Sequence, residues 1–159
     1  MKRVVTALIT ALCSLTVVTA LAQPAPPSPE QQAQSAVDRR QAVFKLVAYN
    51  FGPLAGMMRK RTPFDAAVVE KNSGRIEVLA GMISELFAAD TRSFKLETEA
   101  LDSIWDNKDD FASKANDLVK AANALAKAAA TGDEGATLKA AGAVGQACGG
   151  CHDNYRVDD

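Results

Sequence analysis

Histidine occurs once in these 159 residues, tryptophan once, tyrosine twice and cysteine three times, and neither sign of charge dominates. Each scarcity removes a class of function. A closed structural zinc site takes four Cys or His ligands. Outside the N-terminal segment there are only Cys148, Cys151 and His152, so zinc would have to recruit carboxylates or a second chain. The near-neutral balance of 18 Lys+Arg against 19 Asp+Glu recommends neither nucleic acid nor an anionic membrane as partner. Alternating strand patterns are missing as well, which leaves a C-x-x-C pair without the βαβ setting of a thioredoxin-like redox couple.

Long apolar runs are confined to the start. Lys2 and Arg3 precede the apolar stretch Val4 to Val18, and Ala20-Leu21-Ala22 then supplies an A-x-A cleavage signal. The stretch is interrupted by Thr and Ser and is short for a bilayer span, which favours a cleavable secretory peptide over residues 1–22, and hence export to the periplasm. Cleavage removes Cys13, Lys2 and Arg3. The 18 Lys+Arg become 16 against an unchanged 19 Asp+Glu, a formal charge of −3, with no membrane segment left.

What is present sits at the other end. Cys148-Gly149-Gly150-Cys151-His152 reads as C-x-x-C-H, the attachment sequence for c-type haem. Two thiols three residues apart match the two vinyl groups of one haem. If the segment is helical, His152 falls on the same face as Cys148 and can place an imidazole on the iron. An oxidising compartment would pair two such cysteines unless thioether formation consumed them, so the leader and the motif support one another.

Between these ends the chain reads as helices. Four prolines within residues 23–29 make 23–30 an extended, disordered leader to a domain spanning 31–159. Ala33, Val37, Phe44, Val47, Ala48 and Phe51 form the apolar stripe of a first helix, which Gly52-Pro53 should kink. Arg59-Lys60-Arg61 is a solvated turn, and Thr62-Pro63 provides an N-cap and first-turn proline for a second helix reaching Leu86 or Phe87. Ala88 to Ile104 is a long loop with room for one helical turn around Glu97 to Leu101. Asp106-Asn107 caps a third helix with the stripe Phe111, Ala115, Leu118, Ala122, Leu125 and Ala129. Gly132 ends it, and Asp133 opens a fourth that runs into the motif. Four helices with short joins predict an all-α antiparallel four-helix bundle with covalently bound haem. Glycine and alanine crowd the fourth helix, which is explicable if a flat macrocycle occupies the room that larger side chains would fill.

With His152 committed to iron, bis-histidine ligation within one chain is excluded. Methionine, the other common sixth ligand, is missing from Ala33 to Phe51 and occurs after the leader only at Met57, Met58 and Met82. Composition thus leaves open a five-coordinate iron with a free distal side. A peroxidase-type enzyme is disfavoured, because distal acid–base chemistry wants a second histidine or similar group.

The chain resembles cytochrome c′, the class II c-type cytochromes. The likeness rests on Arg40-Gln41 with Phe44 and Phe51-Gly52, on Pro63-Phe64-Asp65, on Ile104-Trp105 and on Cys148 through Arg156. It implies a bundle with one haem c near its C-terminus, held by two thioethers. Low-spin relatives draw a methionine ligand from about the place of Phe44, so the resemblance implies a high-spin iron whose distal face Phe44 covers, admitting NO and CO. Phe44 is equally a member of the apolar stripe, and both roles can hold. Arg40 and Gln41 resemble a pair that contacts haem propionates, against the plainer reading of a wet helix face. Arg156 resembles an arginine beside the proximal histidine, and would also suit a helix C-terminus. Trp105 and Tyr155 are expected near the haem edge, or simply in the core. The resemblance further implies a homodimer through the first two helices, with Leu54, Met57 and Met58 as candidate contacts. Two functions are carried forward: a gas-binding haem protein that also passes single electrons to periplasmic redox partners, and a low-spin protein that is purely an electron carrier.

Overall fold

The computed structural model describes residues 25–157, so the expected signal segment lies outside the described residues. Six helices follow in order: α1 Pro29–Met58, α2 Ala66–Gly81, α3 Ile83–Leu86, α4 Ser103–Asp106, α5 Lys108–Ala130 and α6 Glu134–Tyr155. The four long ones form an all-α bundle in which α2 packs between α1 and α5 and α6 packs on α5 and α1. The joins of residues 59–65 and 131–133 are too short for anything but antiparallel neighbours. No described helix is long and apolar enough to cross a membrane.

Local chemistry explains the ends. Ser28 and Gln31 form a reciprocal capping box with proline at the first helical position, so α1 starts at Pro29, two residues inside the expected leader. Pro53 does not end α1, which continues to Met58. The α2 cap is Asp65, whose carboxylate accepts from Val68 N at 3.0 Å, rather than Thr62. The expected single second helix is interrupted at Met82, whose N–H bonds three residues back to Leu79 O before the turn resumes as α3. Gly132 closes α5 with φ +74°, a conformation that favours glycine, and Asp133 caps α6 through Ala136 N at 2.9 Å.

The α5 stripe is buried as expected: Phe111, Ala115, Leu118, Ala122, Leu125 and Ala129 meet Val69, Ile76, Ala80, Ala141 and Val144 in one core. The α1 stripe is not one stripe. Ala33, Val37, Val43, Val47, Leu54 and Met57 enter the core, whereas Phe44, Ala48 and Phe51 stand on a second face with Gln41, exposed or half-buried. Leu54 and Met57, expected at a dimer contact, belong to the protein's own interior.

The segment 87–102 is largely irregular, as expected, but the helical turn foreseen at Glu97 to Leu101 is replaced by an isolated antiparallel bridge between Ala100 and Arg156. Arg40 organises the start of this segment. Its guanidinium is 3% exposed and donates from Nε to Leu86 O at 2.9 Å, from one terminal nitrogen to Ala89 O at 2.6 Å and from the other to Thr91 Oγ1 at 2.8 Å. It lies over the Phe87 ring at 4.6 Å and the Trp105 ring at 5.2 Å. Burial and the neighbouring Arg39 lower its pKa, while Asp90 opposes them. Arg40→Met should cost on the order of 3 kcal/mol, because buried acceptors lose a charged donor. Arg40→Lys should recover only part of this, having no fork of donors. Urea midpoints of the three proteins check the ordering.

Candidate haem-attachment site

Helix α6 carries the whole motif in regular helix, so the i, i+3 and i+4 relation of Cys148, Cys151 and His152 is realised on one face. Both cysteines are half-buried free thiols, and His152 is exposed in the last turn. Burial pushes the Cys148 thiol up. Burial, reinforced by the nearby Cys148, pushes Cys151 up to about 11. Both therefore stand protonated at neutral pH. Among the described residues no three His, Cys, Asp or Glu side chains converge as a metal site.

Around the motif the helix surface is open. A Cβ at Gly142, Gly149 or Gly150 would meet nothing within 4 Å, and one at Gly145 would meet only Phe51 Cζ, at 3.9 Å. That contact pins the second face of α1 against α6 and sets the level of everything above it. Phe44 lies seven residues before Phe51, and His152 seven after Gly145. In antiparallel helices both are displaced in the same direction, two turns or ~10 Å from the contact. Phe44 and His152 therefore lie at one level of the bundle. The Phe44 ring is 36% exposed and leans on Phe87 at 6.2 Å between centroids. Two thiols, an exposed imidazole and an aromatic ring level with it, with glycines leaving room between, fit a flat apolar macrocycle.

The segment Glu97 to Leu101 runs between α1 and the end of α6. Gln41 Nε2 donates to Glu97 O at 3.2 Å from the α1 side. From the α6 side, Arg156 Nε donates to Glu99 Oε2 at 2.7 Å, Val157 N to Glu99 O at 2.8 Å and Leu101 N to Tyr155 O at 3.0 Å. Gln41 and Arg156 are therefore brought to one segment, from α1 and from the end of α6. Arg40 differs from the wet-face alternative: it is buried beneath the preceding segment, with three of its five N–H groups on protein acceptors.

Sequence reasoning missed the acceptors of Arg40, which lie 46 to 51 positions away. It also missed the partner of Tyr155, whose hydroxyl donates to Asp110 Oδ2 at 2.6 Å across α5 and α6. Neither has a local signature. Trp105 is core, its Nε1 donating to Phe87 O and Ala89 O, both at 3.1 Å. Desolvation, then the bond to Asp110, pushes the Tyr155 phenol up to about 12. The fold thus favours the protonated phenol over an unstructured one titrating near ~10. This contribution is complete below pH ~10 and is lost as pH rises towards 12. A melting series from pH 8 to 12 should fall less steeply in Tyr155→Phe than in the wild type.

A helical bundle whose last helix closes on C-x-x-C-H defines a class of c-type haem proteins. The family model described as Cytochrome C' matches residues 35–156. The chain is 37% identical to cytochrome c-554 of Cereibacter sphaeroides, over 92% of this chain and 93% of that protein. Cytochrome c prime from Shewanella frigidimarina superposes with a TM-score of 0.73 at 40% identity, covering 79% of this chain and 97% of that one. A nitric oxide complex of a mutant cytochrome c prime from Alcaligenes xylosoxidans gives a TM-score of 0.71 at 28% identity, covering 80% and 97%. The chain belongs to the cytochrome c′ family.

Proposed function

We propose that this protein is a periplasmic haem c protein that binds NO and CO at an open iron site and can carry single electrons. Cys148 and Cys151 would hold the macrocycle through thioethers, and His152 would be the proximal ligand. When bound, the haem supplies a redox-active iron with one vacant coordination position. The chain's own residues do the rest. Phe44 covers the distal face with an apolar ring that donates no ligand and resists entry of water and anions. Gln41 and Arg156 bracket the segment Glu97 to Leu101, and Arg40 fixes the loop beneath it with N–H groups to spare for a propionate. The observation that carries this reading is Phe51 Cζ 3.9 Å from the Gly145 Cβ position, a contact from which helix rise sets Phe44 and His152 at one level of the bundle. The nitric oxide complex of a relative supports the choice of gas.

The runner-up, a low-spin pure electron carrier, needs a thioether facing His152. Met57 is buried in the core, Met58 shares the face of Phe44 but lies fourteen residues, ~20 Å, further along α1, and Met82 sits exposed at the α2–α3 junction, so α1 presents no thioether at the level of Phe44. Ferrous absorption spectra with and without carbon monoxide separate the two: a high-spin spectrum that shifts with the gas supports the proposal, and an indifferent low-spin spectrum supports the runner-up.

Leu46, Tyr49 and Val78 are 50, 73 and 62% exposed on the outside of α1 and α2. These apolar side chains favour a homodimer through that face. Sedimentation of the haem-loaded protein at micromolar concentration should give the mass of two chains.

A further inference from the structure

One titratable group beside the motif has no part in holding haem or admitting a gas. Tyr155 is 6% exposed, its hydroxyl lies 2.6 Å from Asp110 Oδ2, and its ring meets Phe111 edge-on at 5.2 Å. It follows His152 by three residues and Cys151 by four, one turn along the same face of α6, where side chains stand ~5–6 Å apart at Cβ. Asp110 is exposed on its outer side, which gives a proton placed there a route to water.

We propose that Tyr155 is a redox-active tyrosine, the electron donor when hydrogen peroxide oxidises the haem, with Asp110 accepting the phenolic proton. This rests on the haem reading above. The bound haem would supply the two electrons that break the O–O bond of hydrogen peroxide, slowly because no distal acid–base group assists, and both oxygens would end at the oxidation level of water with two protons from solvent. Tyr155 would replace one of those electrons, its O–H proton moving to Asp110 Oδ2 and leaving a neutral phenoxyl radical. One oxidising equivalent would stay on the haem.

The other oxidisable rings suit the role less well. Trp105 carries the guanidinium groups of Arg40 and Arg92 at 5.2 and 5.8 Å from its ring, which oppose a positive charge on the indole. Its Nε1–H is held by backbone carbonyls, which are far weaker bases than a carboxylate. Tyr49 points outward from α1, 73% exposed and away from the motif. The raised pKa of Tyr155 keeps the phenol protonated at neutral pH, so the proton to be transferred is present before oxidation.

The test is freeze-quench electron paramagnetic resonance of the ferric haem-loaded protein after addition of hydrogen peroxide, with haem content measured on every sample by pyridine haemochrome. The expected result is a tyrosyl signal in the wild type that is lost in Tyr155→Phe and retained in Tyr49→Phe and Trp105→Phe. Asp110→Asn keeps the phenol and removes the base, and should lower the radical yield at unchanged haem content. A haem-loaded wild type without a protein radical, or an equal tyrosyl signal in Tyr155→Phe, overturns the proposal. Failure of any haem to attach overturns both this proposal and the reading on which it rests.

Discussion

Phe44→Met should convert the protein from an open, gas-binding haem protein into a low-spin one. Helix rise from the Phe51–Gly145 contact sets position 44 level with His152, and its side chain leaves the core face of α1 that holds Val43 and Val47. Methionine has a similar reach, rotates freely and brings a thioether to the place opposite the imidazole. If the sulfur occupies the sixth position with ~3 kcal/mol of preference, a gas must displace it. Its apparent affinity then falls about 100-fold, since each 1.4 kcal/mol is about tenfold and only the open fraction binds. Carbon monoxide titration of the ferrous variant beside the wild type measures this directly. Phe44→Ala is the companion experiment. It removes the ring without adding a ligand, so the iron should remain high-spin while gas association accelerates. A variant pair behaving identically would mean that position 44 does not face the iron.

The second large effect concerns the thiols. Replacing Cys148 and Cys151 together with Ser should abolish covalent attachment, so that denaturation in acidified organic solvent strips haem from the variant and not from the wild type. Stability should fall as well. The covalently held group fills an apolar cleft in the folded state only, and such a ligand stabilises by binding the native form alone. A loss of several kcal/mol corresponds to a drop on the order of 10 °C in Tm for a domain of this size. Single Ser variants should each keep one thioether and sit between. Visible absorption after extraction, mass spectrometry and thermal melts provide the three readouts.

How far the residues announced this architecture depends on the range of the interactions involved. The α5 stripe was legible because alanine and leucine recur with a helical period and every member is buried. The Asp133 cap and the Gly132 stop were legible because both act within a few residues. On α1 periodicity misled. Phe44, Ala48 and Phe51 share a period with the core residues but not their face, and a spacing of three or four cannot distinguish a stripe facing protein from one facing a cleft. The break at Met82 escaped notice because apolar residues keep their spacing across it, while the backbone tightens to a three-residue bond. Adjacency along the helix does not separate Arg40 from Arg39. In the fold the two diverge: Arg39 donates to Ser35 on the exposed surface, and Arg40 enters the interior to hold carbonyls nearly fifty residues away. The attachment motif was the most legible feature, because two thiols and an imidazole are brought together by one helical turn. Its surroundings were not, because α1 and the segment Glu97 to Leu101 are set around it by tertiary packing.

Ferrous absorption spectroscopy with carbon monoxide titration, on protein exported by cells equipped to attach haem and checked for intact mass, tests the central claim most directly. The account predicts a mass increased by one haem, a high-spin ferrous spectrum and uptake of one carbon monoxide per chain. A mass without haem, or a low-spin ferrous spectrum that carbon monoxide leaves unchanged, would contradict it.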